Sequence, residues 1–267
     1  MKRLLTCVAA VALVGCAGTG SQTTAIKEDP VTYRDGDLVM KGYVVYDEAR
    51  QGRRPGVLVV HEWWGITRHV HSEARNLASQ GYTAFIVDMY GDGKTADNPK
   101  DAGAMSGAVR KDVRALQSRF NAARDTLAKH PTVDATRTGA IGFCFGGSVV
   151  LEMARSGADL AGVAAFHAGV ATANPAAPGK VKSKVLVLNG AADPFIKPDQ
   201  VEAFKKEMEA AKVNYRYVNY PGAVHAFTNP EATEKGKQFN LPLAYDAEAD
   251  KQSKAEAAKF YRELFGR

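Results

Sequence analysis

Cys144 is the residue whose surroundings point most directly to chemistry. It lies in Gly142-Phe143-Cys144-Phe145-Gly146-Gly147, after an apolar run at 138–141 and before a helical stretch at 148–154. At such a strand-to-helix turn the side chain is pushed up into solvent at the sheet's edge. Glycines two before and two after it let the chain pass close to itself without a Cβ clash. The helix that starts there aims free N–H groups and its positive end at the sulfur, which favours thiolate. A thiolate nucleophile needs a base in reach, and the base needs a partner that fixes its tautomer.

The chain has six histidines. When a triad serves a nucleophile at this kind of turn, the chain order is nucleophile, acid, histidine. His225 alone lies late enough, beyond the strands at 184–190 and 214–220. Asp193, in the turn Gly190-Ala191-Ala192-Asp193-Pro194, is the acid in the required order, although an Asp before Pro is also a common turn former. His167 ends a strand nearby and is expected to line the pocket, and His130 reads as a surface residue. His69 and His71 do not share a helix face, and no Cys or carboxylate cluster completes a metal site, so no metal and no cofactor is expected. Asp199, Asp246 and Asp250 read as helix caps.

These groups need a scaffold that gathers them at one edge. Residues 31–46 read as an antiparallel hairpin turning at Asp35-Gly36-Asp37. The apolar runs at 56–60, 82–87, 137–143, 160–166 and 184–190 read as buried parallel strands. Helices are expected at about 67–79, 101–129 (with Gly107 a candidate break), 148–157, 199–212 and 246–264. A hairpin followed by strand–helix alternation gives an α/β class, a mostly parallel sheet with helices on both faces. Ligands in such sheets bind outside the carboxyl ends of the strands, where each motif above lies.

With 267 residues, 45% hydrophobic and 24% charged, the chain is long enough for one large core, and one catalytic domain at 29–267 is expected. The net charge of +6 is scattered, with no basic run or basic-aromatic interleave, which leaves nucleic-acid binding without support. Residues 1–15 read as an export signal: Lys2-Arg3, then an apolar stretch too short to span a bilayer. Leu13-Val14-Gly15-Cys16 resembles the lipobox of bacterial lipoproteins, with Cys16 carrying lipid and 16–28 forming a flexible linker. Loss of Lys2 and Arg3 takes the mature charge from +6 to +4. The expected setting is the bacterial cell envelope, facing the periplasm and touching the membrane only through the anchor, as a monomer. Of the three cysteines, Cys7 falls in the signal and Cys16 at its end, so Cys144 would be the one free thiol of the mature protein, where an unpaired thiol is either buried or used.

His61-Glu62-Trp63-Trp64-Gly65, the Gly142–Gly147 turn, Asp193 after its strand and Pro221-Gly222-Ala223-Val224-His225-Ala226-Phe227 together resemble the dienelactone hydrolase family, over roughly residue 29 to the C-terminus. The resemblance implies an α/β-hydrolase fold and metal-free cleavage of enol-lactones by a Cys-His-Asp triad. It makes Cys144 the nucleophile, His225 the base and Asp193 the orienting acid. It also implies that Glu62 contacts the resting thiol and helps take its proton, and that the amides of Phe145 and Trp63 form the oxyanion hole. One departure stands out: residues 225–230 contain no Arg, where the dienelactone enzymes place one to bind a substrate carboxylate. Arg110 or Arg114 could supply charge instead. The expected activity is hydrolysis of a small-molecule ester, lactone or thioester through an acyl-enzyme, resembling carboxymethylenebutenolidase. The alternative is a non-catalytic envelope binding lipoprotein on the same scaffold.

Overall fold

A computed structural model describes residues 24–266. The signal segment 1–15, Cys16 and most of the linker lie outside the described residues. The hairpin is longer than the sequence suggests: β1 (Ile26–Asp35) pairs antiparallel with β2 (Leu38–Asp47) along its whole length. Residues 26–28, assigned to the linker from composition, therefore belong to the domain. Their backbone is tied into the ladder opposite 45–47, and Glu28 reaches His71 and Arg75.

The chain then runs β3 (Arg54–Val60), α1 (Arg68–Ser79), β4 (Thr83–Val87), α2 (Pro99–Lys111), α3 (Val113–Ala128), β5 (Val133–Phe143) and α4 (Phe145–Arg155). It continues through β6 (Gly162–Phe166), β7 (Lys184–Gly190), α5 (Pro198–Ala210), β8 (Tyr215–Tyr220), α6 (Ala232–Phe239) and α7 (Ala247–Phe265). The eight strands form one sheet in the order β1-β2-β4-β3-β5-β6-β7-β8. β2 is antiparallel to both its neighbours, and all other pairs are parallel.

Side-chain alternation splits the core in two. Leu58 and Val60 of β3 join a cluster with α3, α4 and α5, including Phe120, Val150 and Phe204. Val57 and Val59 point the other way, into a cluster with α1 and α7 that includes Ala74, Tyr261 and Phe265. Both faces are thus covered, which is why the central strands are apolar throughout. Among the described residues no helix is long and apolar enough to cross a membrane.

Two helical details differ from the sequence reading. The stretch 99–128 breaks at Asp112, not Gly107, because Asp112 caps α3 by accepting the Ala115 N–H at 2.9 Å. α6 was not anticipated, since Gly236 weakens its helical signal. The glycine is needed there: a Cβ would lie 2.3 Å from the Leu243 carbonyl oxygen.

Candidate active site

β5 ends at Phe143 and α4 begins at Phe145, leaving Cys144 to make the whole turn. Its φ of 54° and ψ of −113° lie where a non-glycine residue is strained, a cost of about 1–3 kcal/mol that the surroundings must offset. Glycines make the turn passable. A Cβ on Gly142 would meet Gly146 O at 2.1 Å, and one on Gly146 would meet Val60 O at 2.3 Å. The Cys144 amide is fixed by the Phe166 carbonyl at 3.0 Å, and its carbonyl accepts the Ser148 N–H at 3.2 Å. The half-buried thiol faces a cavity of about 630 Å³ at the carboxyl ends of the parallel strands.

His225 stands on the segment after β8, its carbonyl accepting the Ala244 N–H at 3.3 Å. Its Nδ1 lies 2.6 Å from Asp193 Oδ2 in the turn after β7, and the other Asp193 oxygen accepts the Phe195 N–H at 2.9 Å. With Nδ1 donating to Asp193, Nε2 is the nitrogen left for the thiol, and His225 and Cys144 line the same cavity. Burial works against a charged imidazole. The charge on Cys144 and the hydrogen bond that the ring donates to Asp193 outweigh it and raise the His225 pKa to about 10. Cys144, His225 and Asp193, which are far apart in sequence, therefore meet at one edge.

Phe145 is the first residue of α4, so its N–H has no helical partner. The Trp63 N–H makes no turn or loop hydrogen bond among the described residues. Trp63 lines the cavity, and its carbonyl accepts the Tyr90 hydroxyl at 2.8 Å. Trp64 is buried instead, stacked on Phe239 of α6.

Glu62 departs from the expected contact with the thiol. It is absent from the cavity wall, and its Oε2 accepts Asn229 Nδ2 at 2.6 Å and faces His69 Nδ1 at 3.4 Å. The side chain is turned beneath the site because Asn229 and His69 lie there as partners. Burial alone would push its carboxyl up; the charge of His69 3.4 Å away, helped by the Asn229 hydrogen bond, holds the pKa at about 2. His167 also departs from expectation. It is fully buried behind the cavity, 5.3 Å edge-on from the His225 ring, and its Nε2 lies 2.9 Å from Thr228 Oγ1. Burial, and then the charge of His225, hold its pKa well below the usual value, so it is neutral.

Arg110 and Lys111 at the end of α2 reach the cavity wall, and Arg114 does not. The Arg110 guanidinium lies 5.2 Å over the Phe145 ring. Apolar wall is supplied by Val113, Leu116, Val149 and Leu243, and Phe195 stands at the mouth. Sequence reading missed Phe195, His69, Thr228 and Asn229. Phe195 left a signal, an apolar residue inside a polar turn two residues after Asp193. His69 left one too, since Glu73 follows at i+4 on the same helix face. Among the described residues no group of three or more His, Cys, Asp or Glu is placed to hold a metal ion.

The sequence profile of the dienelactone hydrolase family matches residues 40–265. The chain belongs to the dienelactone hydrolase family. It is a hydrolase with the α/β-hydrolase fold of that family. A solved structure described as a dienelactone hydrolase-like promiscuous phosphotriesterase from metagenomic libraries is 36% identical. It covers 90% of this chain and 99% of its own, with a TM-score of 0.83. Protein usf of Aquifex pyrophilus is 27% identical over 74% of this chain and 86% of its own. A candidate carboxymethylenebutenolidase of Salmonella typhimurium is 30% identical over 70% of this chain and 73% of its own.

Proposed function

We propose that this dienelactone hydrolase-like protein cleaves a carboxylic ester, lactone or thioester through an acyl-enzyme on Cys144. The observation that carries the reading is that Cys144 and His225 line one cavity while His225 Nδ1 lies 2.6 Å from Asp193.

The sulfur attacks the carbonyl carbon, a C–S bond forms, and the oxygen takes up the π electrons. That oxyanion sits against the amides of Phe145 and Trp63, an arrangement worth several kcal/mol in such sites. Collapse breaks the C–O (or C–S) bond, and the leaving group takes the proton from the His225 imidazolium. Acylation also removes the charge on Cys144 that raised the His225 pKa. The ring is then neutral and takes a proton from water as hydroxide attacks the thioester. Collapse of the second tetrahedral species releases the acid and restores the sulfur–imidazolium pair. Asp193 holds the ring in the tautomer both halves need.

The site differs in one respect from that of the dienelactone enzymes. Asn229 follows His225 by four places, and no Arg occurs in 225–230, so charge on the substrate would be met by Arg110 and Lys111 from the opposite wall. We further propose that the domain is exported and tethered to the bacterial envelope by lipid on Cys16, acting as a monomer on small molecules and using no nucleic acid or cofactor. The test of the catalytic reading is turnover of p-nitrophenyl acetate by the wild type and by Cys144→Ala. A loss of at least about a thousandfold in kcat/KM is expected for the variant. Equal rates in the two proteins would remove Cys144 from the chemistry.

A further inference from the structure

Beneath the catalytic residues lies a charged cluster that the reaction above does not use. His69 of α1 is buried, with its ring edge-on to Phe143 at 4.9 Å. Its Nδ1 faces Glu62 Oε2 at 3.4 Å, while its Nε2 faces Glu73 Oε1 at 3.6 Å and Thr228 Oγ1 at 3.2 Å. Two buried carboxylates thus flank the ring, one near each nitrogen, and a negative charge on either side favours a proton on both. Lys254 of α7 adds a second cation at 2.9 Å from Glu73, and Asp250 holds Lys254 in turn. Glu62, His69, Glu73 and Lys254 thus form an alternating row of charges running from beneath the site toward solvent.

The row is joined to the reacting groups at both ends of its inner face. Glu62 directly precedes Trp63, and its Oε2 also holds Asn229, four residues after His225. Thr228 Oγ1 bridges His69 Nε2 at 3.2 Å and His167 Nε2 at 2.9 Å, and His167 packs edge-on against His225.

We propose that His69, held as an imidazolium between Glu62 and Glu73, is a positioning residue that keeps Glu62 ionised and so locks the Trp63 loop and the His225–Asn229 turn together. Its effect on the reaction rests on the ester-hydrolase reading, but its charge does not. The groups facing it are Glu62 from the loop after β3, Glu73 on its own helix, Thr228 from the turn after β8, and the Lys254 ammonium, which lies beyond Glu73 on α7.

The sign of the pH effect follows. Removal of the cation leaves a buried carboxylate with Asn229 as its main partner, so burial pushes the Glu62 pKa up into the working range. In His69→Gln, kcat for p-nitrophenyl acetate at pH 6 should fall about tenfold or more, with KM little changed. Part of that loss should be recovered at pH 8–9, where Glu62 ionises again. The wild type should show no such acid limb. In parallel, ¹⁵N NMR of histidine-labelled wild type should show both His69 nitrogens protonated at pH 7. Should His69→Gln fail to fold, Glu73→Gln serves. Loss of one flanking carboxylate should let His69 deprotonate at lower pH, and the alkaline edge of kcat should move down with it. A neutral His69 at pH 7, or variant profiles parallel to the wild type, would overturn the proposal. The two readings fail separately: an inactive wild type with a doubly protonated His69 sinks the hydrolase reading alone, and an active one with a neutral His69 sinks this one.

Discussion

At the scale of single residues, the cavity sorts side chains by what they do for a carbonyl compound. Cys144 and His225 are coupled, since the charge of one raises the pKa of the other to about 10. Phe195 is of another kind. It is the exposed large hydrophobic side chain among the described residues, 50% accessible, and it packs edge-on to His225 at 5.1 Å. The Asp193 carboxylate that orients His225 also fixes the Phe195 amide, so the aromatic ring is placed by the same turn. An aromatic ring held open at a cavity mouth gains from being covered, roughly 25 cal/mol for each Å² of apolar surface removed from water. Phe195→Ala should therefore raise KM several-fold for aryl or long-chain p-nitrophenyl esters and leave the acetate nearly unaffected, read from initial rates across a chain-length series. Equal effects on all esters would show that the ring serves only to support His225.

At the scale of elements, the turn between β5 and α4 was legible because its glycines are dictated by backbone contacts. Gly146 passes the Val60 carbonyl so closely that no Cβ fits. Gly146→Ala should lower stability by about 2–4 kcal/mol, measured as a shift in urea midpoint, with kcat falling as the turn is displaced. An Ala variant as stable and active as the wild type would mean the turn is looser than these contacts require. The orientation of Glu62 was not legible. Its position in the chain fixes where the backbone lies, but the side chain's partner is Asn229, 167 residues away, and nothing local predicts that pairing. The break at Asp112 was hidden for a different reason. Glycine is the usual signal for an interruption, yet here a capping carboxylate ended one helix and began the next.

At the scale of the whole molecule, strand runs and their alternation were enough to give a mostly parallel sheet with an N-terminal antiparallel hairpin, which is the form observed; the order of its eight strands was not legible. The carboxyl ends of β3, β5, β6 and β7, together with the segment after β8, bring His61-Glu62-Trp63, Cys144, His167, Asp193 and His225 to one rim. Chain order and strand ends pointed to Cys144, Asp193 and His225; depth below the rim, which sets Glu62 and His167 behind the cavity, depended on packing. The proposed tether concerns the molecule as a unit. Expressed with its native N-terminus in a bacterial host, the wild type should sediment with membranes and release into detergent, and Cys16→Ser should appear in the soluble fraction. Identical fractionation of the two would argue against lipid on Cys16.

The most direct measurement is intact and peptide mass spectrometry of the enzyme quenched in acid during turnover of a slowly deacylated aryl ester. The acyl mass should appear on the peptide containing Cys144, grow with the burst of phenol release, and be absent from Cys144→Ala. Steady turnover with that peptide unmodified throughout would contradict a covalent route through the thiol.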